Sequence, residues 1–134
     1  MYSNKAVQKW VEEMAKLTKP DNIVWIDGSE EEKARLEKEA VELGELIELN
    51  QEKLPGCFLH RTKVNDVARV EDRTFICTTR KEDAGPTNNW MDPKEAYAML
   101  SKIFDGSMKG RTMYVIPYLM GPVGSPFSKV GVEV

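Results

Sequence analysis

Apolar positions along the chain switch between a helical and a strand-like period, and the switches coincide with capping and turn residues. Val7, Trp10, Val11, Met14 and Leu17 share one face of a helix predicted over Asn4–Leu17, with Ser3 or Asn4 as its cap. Lys19-Pro20-Asp21 ends it, because a residue before proline is pushed out of the helical region. Ile23-Val24-Trp25-Ile26 is apolar on both faces and largely β-branched, the pattern of a buried strand. After an Asp27-Gly28 turn, Ser29 and Glu32 form a capping box for a second helix running to about Leu43. Leu36, Ala40 and Leu43 make its apolar face, and Gly44 suits its C-terminal end. The acids Glu30–Glu32 complement the positive end of that helix's dipole, so they are read as helix chemistry rather than a metal site.

Leu46–Leu49 reads as a short strand, Asn50–Gly56 as a polar connection, and Cys57–Arg61 as the next strand. Lys63–Asp66 turns the chain, Arg73–Thr78 (RTFICT) has good strand propensity, and Arg80–Asn89 is a loop marked by Gly85-Pro86 and Asn88-Asn89. The third helix has the clearest signals: Asp92 caps it, Pro93 takes the first helical position and Glu95 completes the box. Ala96, Tyr97, Leu100, Ile103 and Phe104 are its predicted core face, Trp90 and Met91 precede the cap as an apolar staple, and Asp105-Gly106 stops it. Arg111–Leu119 is apolar enough to be an interior strand, with Pro117 predicting its end. Met120–Ser128 is a Gly/Pro loop, and Lys129–Val134 alternates as a strand that the chain leaves unfinished, as a piece cut from something longer would. Helix, strand, helix and then strands predict an α/β fold, a mixed β-sheet packed with about three helices, with residues 1–134 as one domain.

Composition narrows the function classes. With 134 residues, 41% of them hydrophobic and 31% charged, the chain has the make-up of an ordinary folded domain. A net charge of −3 lacks the basic stripe that generic nucleic-acid binding requires. No apolar run reaches the roughly 20 residues of a membrane span, and the first 17 residues have no apolar signal core, so a cytoplasmic location is expected. Cys57 and Cys77 lie in apolar runs and are expected to be buried free thiols. A single histidine, His60, cannot assemble a zinc set and is expected to be structural or superficial.

Candidate anion chemistry lies in three places. Gly121–Lys129 (GPVGSPFSK) resembles a phosphate loop only superficially: the GxxxxGK[ST] order is absent, and two prolines remove backbone donors. Lys109-Gly110-Arg111 is basic but lies between a helix and a strand, where such residues are ordinary. In Asp66–Arg73, Arg69 stands among Asp66, Glu71, Asp72 and Arg73. A planar guanidinium offers one carboxylate or phosphate two parallel donors. Spacing alone favours the plainer reading, a surface turn laced with weak ion pairs.

Longer runs go further. Thr18–Glu32 (TKPDNIVWIDGSEEE), Asp66–Cys77 (DVARVEDRTFIC), Glu82–Trp90 (EDAGPTNNW) and Met108–Val134 (MKGRTMYVIPYLMGPVGSPFSKVGVEV) occur in this order. Together they resemble the N-terminal portion of GTP-dependent phosphoenolpyruvate carboxykinases. Two positions depart from the pattern: Ile26 stands where relatives often carry cysteine, and Tyr118-Leu119 replaces a more usual Phe-Ser. The resemblance implies a parent lyase of gluconeogenesis that interconverts oxaloacetate and GTP with phosphoenolpyruvate, carbon dioxide and GDP. It implies GTP and Mn²⁺ (or Mg²⁺) as that parent's cofactors, with none held by this chain alone, whose sequence matches neither the phosphate loop nor the metal ligands. It makes Arg69, the arginine of the DVAR motif on a loop that is mobile in the family, the substrate-binding residue, and leaves Asp66, Glu71, Asp72 and Arg73 to position that loop.

On this reading the partners are oxaloacetate and phosphoenolpyruvate, with no nucleic acid and no membrane, and the parent is a monomer. The chain by itself is expected to be inactive, and its last strand offers an edge for self-association. A stand-alone, non-catalytic module of the same ancestry that binds anions or a protein is the competing reading.

Overall fold

The computed structural model describes residues 4–66 and 70–134. In chain order the elements are α1 (Lys5–Thr18), β1 (Asn22–Trp25), α2 (Glu30–Glu42), β2 (Ile47–Glu48), β3 (Phe58–Leu59), β4 (Phe75–Ile76), β5 (Asn89–Trp90), α3 (Pro93–Phe104), β6 (Thr112–Met120) and β7 (Lys129–Glu133), with 3₁₀ turns at Glu71–Arg73 and Lys81–Ala84. The fold is α/β, with three helices and both parallel and antiparallel strand pairs, as the sequence predicts. Contacts divide the chain into two compact units, Met1–Ile26 with Glu71–Val134, and Asp27–Val70.

The first unit is built on the sheet β1-β6-β7. β1 runs parallel to β6, Asn22 to Trp25 facing Thr112 to Val115, and β7 runs antiparallel to β6, Ile116 facing Glu133 and Met120 facing Lys129. The alternation of β6 puts Met113 and Val115 on one face, where they are fully buried against Val11 of α1, with Val7, Met14, Trp25 and Val132 packed around them. Pro117 lies inside β6 rather than at its end. The Arg111 and Val115 carbonyls accept from Asp21 and Ile26, so odd-numbered residues of β6 point their backbone groups toward β1. Position 117 lies beyond the last β1 pair, Trp25 with Val115, and the donor that proline lacks has no strand to serve there. Across β6–β7, Tyr118 faces Gly131, and its ring occupies the space a Cβ at 131 would need.

Asn4 caps α1 through its side chain, and the helix ends at Lys19 in the left-handed region, φ 56°. Its end is tied to the α3–β6 connection: Gly106 and Met108 donate to the Leu17 and Thr18 carbonyls, and Gly110 donates to Asp21 Oδ1 at 3.0 Å. The Lys19 ammonium pairs with Asp105, and that hydrogen bond holds the Asp105 carboxyl below its ordinary value.

α3 departs from its predicted face. Asp92 caps it and Pro93 opens it as expected, but only Ala96 is buried, while Tyr97 (75% exposed), Ile103 (63%), Leu100 and Phe104 face outward. β1 departs likewise: Ile23 is exposed, because β1 is an edge strand. Accessible surface totals 11352 Å², whereas even two separate self-contained globules of these lengths would expose only about 8,500 Å². The apolar residues that composition assigns to an interior are partly without cover.

The second unit carries α2 and the antiparallel pair β2–β3. Ser29 Oγ accepts from the Glu32 N–H, as in a capping box, but Glu32 Oε2 reaches further back, accepting from Asp27 at 2.7 Å and Gly28 at 3.1 Å. Asp27 Oδ1 takes the Ser29 N–H instead, at 2.7 Å, and that bond first of all lowers the Asp27 carboxyl. α2 buries no residue completely, with Leu36 and Ala40 half-buried and Leu43 exposed.

Both lowered carboxyls have one pH consequence. A group whose folded pKa lies below its unfolded value, about 3.9 for Asp, adds stability at neutral pH that is lost as pH falls through the folded value. Asp27→Asn and Asp105→Asn are therefore expected to lower Tm at pH 7, with each gap to the parent closing below about pH 4 in a thermal-melt series.

Candidate functional site

Arg69 lies outside the described residues, so the site is built from the segments on either side of it. On the leading side, Asp66 N–H donates to the Lys63 carbonyl at 2.9 Å and closes the predicted turn. Beside it an open groove of about 420 Å³ is lined by Glu45, His60, Arg61, Lys63 and Asp66, among others. His60 Nδ1 lies 2.8 Å from the Glu45 carbonyl oxygen, which fits the structural role expected of it.

On the trailing side, Glu71–Arg73 forms a 3₁₀ turn closed by Thr74 N–H on the Glu71 carbonyl, 3.3 Å. The Asn89 amide Nδ2 donates to the same Glu71 carbonyl at 2.8 Å and to the Thr74 carbonyl at 3.2 Å. Below this, β4 and β5 pair in parallel, Phe75 with Asn89 and Ile76 with Trp90. The Trp90 indole N–H donates to the Thr78 carbonyl at 2.9 Å, and Met91 N–H to the Ile76 carbonyl at 3.3 Å. Residues 89–91 thus fasten 71–78 at successive levels. The Asn88-Asn89 pair signals a turn in sequence, but Asn89 belongs to a strand.

The expected ion-paired turn centres on Arg69 and so lies outside the described residues. Among the described residues, Asp66, Glu71, Asp72 and Arg73 make no ion pair with one another and are exposed. The nearby bidentate pair is Arg80 with Asp83, Nη2–Oδ1 2.7 Å and Nε–Oδ2 3.1 Å, which raises the guanidinium's already high pKa. Arg80 is therefore engaged within its own turn.

The other sequence candidates resolve as structure. In the Gly121–Ser128 connection, Ser125 N–H donates to the Pro122 carbonyl, Ser128 N–H to the Ser125 carbonyl, and Ser128 Oγ–H to the Pro122 carbonyl at 2.6 Å. These bonds lie inside a β6–β7 turn, and Pro122 and Pro126 have no backbone N–H to offer phosphate. Cys57 and Cys77 are free but exposed, contrary to expectation. The strands they adjoin are only two residues long, and each cysteine sits just outside its pair, where nothing covers it.

Among the described residues no three His, Cys, Asp or Glu side chains gather as metal ligands would. No helix among them is long and apolar enough to cross a membrane.

Comparison with known proteins gives one answer. The family described as "Phosphoenolpyruvate carboxykinase N-terminal domain" matches residues 9–134. A protein of Anaeromyxobacter sp. (strain K) named "Phosphoenolpyruvate carboxykinase [GTP]" is 64% identical over 132 residues, 98% of this chain and 22% of the relative. One of the same name from Corynebacterium jeikeium (strain K411) is 50% identical over 131 residues, 98% of this chain and 22% of the relative. The chain thus spans about a fifth of the length of these relatives. With nearly all of its residues matched, the chain belongs to the phosphoenolpyruvate carboxykinase N-terminal domain family.

Proposed function

We propose that this chain is the substrate-recognition part of a GTP-dependent phosphoenolpyruvate carboxykinase, a cytoplasmic gluconeogenic enzyme that interconverts oxaloacetate and GTP with phosphoenolpyruvate, carbon dioxide and GDP. Arg69 contributes the anion-binding guanidinium. The observation that carries the reading is the 64% identity to a carboxykinase across 98% of the chain. Two physical features agree with it. Oxaloacetate and phosphoenolpyruvate are small polyanions, which suit a fork of parallel donors. The exposed apolar residues of α3 and the outer half of β6 are surfaces that further protein would cover.

Phosphoryl transfer requires metal and phosphate clamps that stabilise charge in the transition state. Bound GTP and Mn²⁺ or Mg²⁺ supply that chemistry in the complete enzyme, and this chain supplies orientation of the carbon substrate. By itself it is inactive, and its uncovered surfaces favour self-association.

The test is a chimera in which this chain replaces the matching segment of the Anaeromyxobacter strain K protein. The chimera is expected to decarboxylate oxaloacetate with GTP, and the isolated chain is expected to show no turnover. A folded chimera without activity, or turnover by the isolated chain, overturns the proposal.

A further inference from the structure

We infer that the apolar face of α3 is a docking surface, and that its occupant is the polypeptide that full-length carboxykinases carry outside the segment this chain matches. The inference rests on the carboxykinase reading above and adds to it the face that receives the rest of the enzyme. Ala96, Met99, Leu100, Ile103 and Phe104 follow the i, i+3, i+4, i+7, i+8 spacing of a single helix face. That face is covered at one end only. Ala96 is 6% exposed, whereas Met99, Leu100, Ile103 and Phe104, over the last two turns, are each at least 40% exposed.

The face is held ready rather than loose. Asp92 caps the start of α3 through the Lys94 and Glu95 N–H groups. At the other end Asp105 pairs with Lys19, and the Gly106 N–H donates to the Leu17 carbonyl at 2.9 Å. A partner therefore meets a surface already in place and has little ordering to impose. The opposite side of the helix carries Lys94 and Lys102 with Glu95 and Asp105. That balanced set gives no pull toward an anionic lipid surface, so an interfacial membrane helix is disfavoured.

Area decides between a second copy and a larger occupant. The chain exposes 11352 Å², roughly 2,800 Å² more than two self-contained globules of its size would. A symmetric contact of standard size covers about 800 Å² on each copy and would leave most of that excess open. The relatives supply a larger body, because this chain corresponds to only 22% of their length.

Thiol labelling tests the assignment. Leu100→Cys and Phe104→Cys report the apolar face, and Lys102→Cys, on the opposite side, is the control. Each is made in the isolated chain at micromolar concentration and in the chimera, and maleimide labelling is read on the peptide by mass spectrometry. In the chimera the thiols at positions 100 and 104 are expected to label at least about tenfold more slowly than in the isolated chain, and the thiol at position 102 within about threefold of it. Met99 gives the same reading without any substitution: hydrogen peroxide is expected to oxidise it at least about tenfold more slowly in the chimera.

Equal rates at positions 99, 100 and 104 in the chimera and the isolated chain overturn the inference, and so does an equal slowing at position 102. Slow labelling already present in the isolated chain, with sedimentation showing a dimer, makes a second copy the occupant and overturns it as well. An active chimera whose α3 stays open leaves the carboxykinase reading standing without this surface. A folded, inactive chimera whose α3 is protected does the reverse: the docking face stands and the catalytic reading fails.

Discussion

Arg69→Ala in the chimeric carboxykinase is expected to lower kcat/KM for phosphoenolpyruvate by about 10²–10³-fold, with KM for GDP unchanged within about twofold. The magnitude follows from two charge-assisted hydrogen bonds to one anion, together worth roughly 3–4 kcal/mol, at 1.36 kcal/mol per tenfold in rate. Arg69→Lys is expected to recover only part of the loss, because an ammonium is a point donor and cannot make two parallel bonds to a planar carboxylate. Steady-state kinetics with each substrate varied in turn separates the outcomes. A loss shared equally between phosphoenolpyruvate and GDP would make Arg69 a general structural residue, and a change below twofold would remove it from the site altogether.

Met113→Ala is expected to unfold the chain, or nearly so, at 37 °C. Met113 and Val115 are fully buried, and among the described residues they form with Val11 the buried cluster under the sheet. Removing a buried Met side chain costs about 2–5 kcal/mol through lost transfer energy and the cavity left behind. A domain's entire stability is about 5–15 kcal/mol, and a core this small places the chain at the low end. Val123→Ala, at a residue 92% exposed, is the matched control and should shift stability by no more than about 0.5 kcal/mol. Urea denaturation followed by circular dichroism measures both. A Met113→Ala protein with an unaltered midpoint would show that the cluster does not hold the first unit together.

Local chemistry in this chain was readable where it is self-contained. The caps Asn4, Ser29 and Asp92, the proline opening α3 and the Gly44 stop are dictated by backbone donors within a few residues, and each predicted helix forms within a residue or two of its bounds. Burial was less readable. The pattern of α3 specifies an apolar face but not what lies against it, so Tyr97 and Ile103 were assigned to an interior that the chain does not provide for them. The same limit explains Cys57 and Cys77. Short strands shrink to two-residue pairs because each has only one neighbour to share hydrogen bonds. Asn89 was missed because its partners, Glu71 and Thr74, lie 18 and 15 residues away, and a polar side chain bonding to a distant backbone leaves no periodic trace. The family resemblance pointed to Arg69 where spacing alone favoured an ordinary turn.

The way β1 and β6 lie side by side has a kinetic corollary. Val11 packs against Met113 and Val115, and Asp21 bonds to Gly110, partners separated from them by most of the chain. On a ribosome adding about 5–20 residues per second, the first helix waits roughly 5–20 s before its partners emerge. During that interval Val7, Val11 and Met14 have nothing to pack against, so the nascent chain should be a client for holdase chaperones, released once β6 is available to complete the sheet.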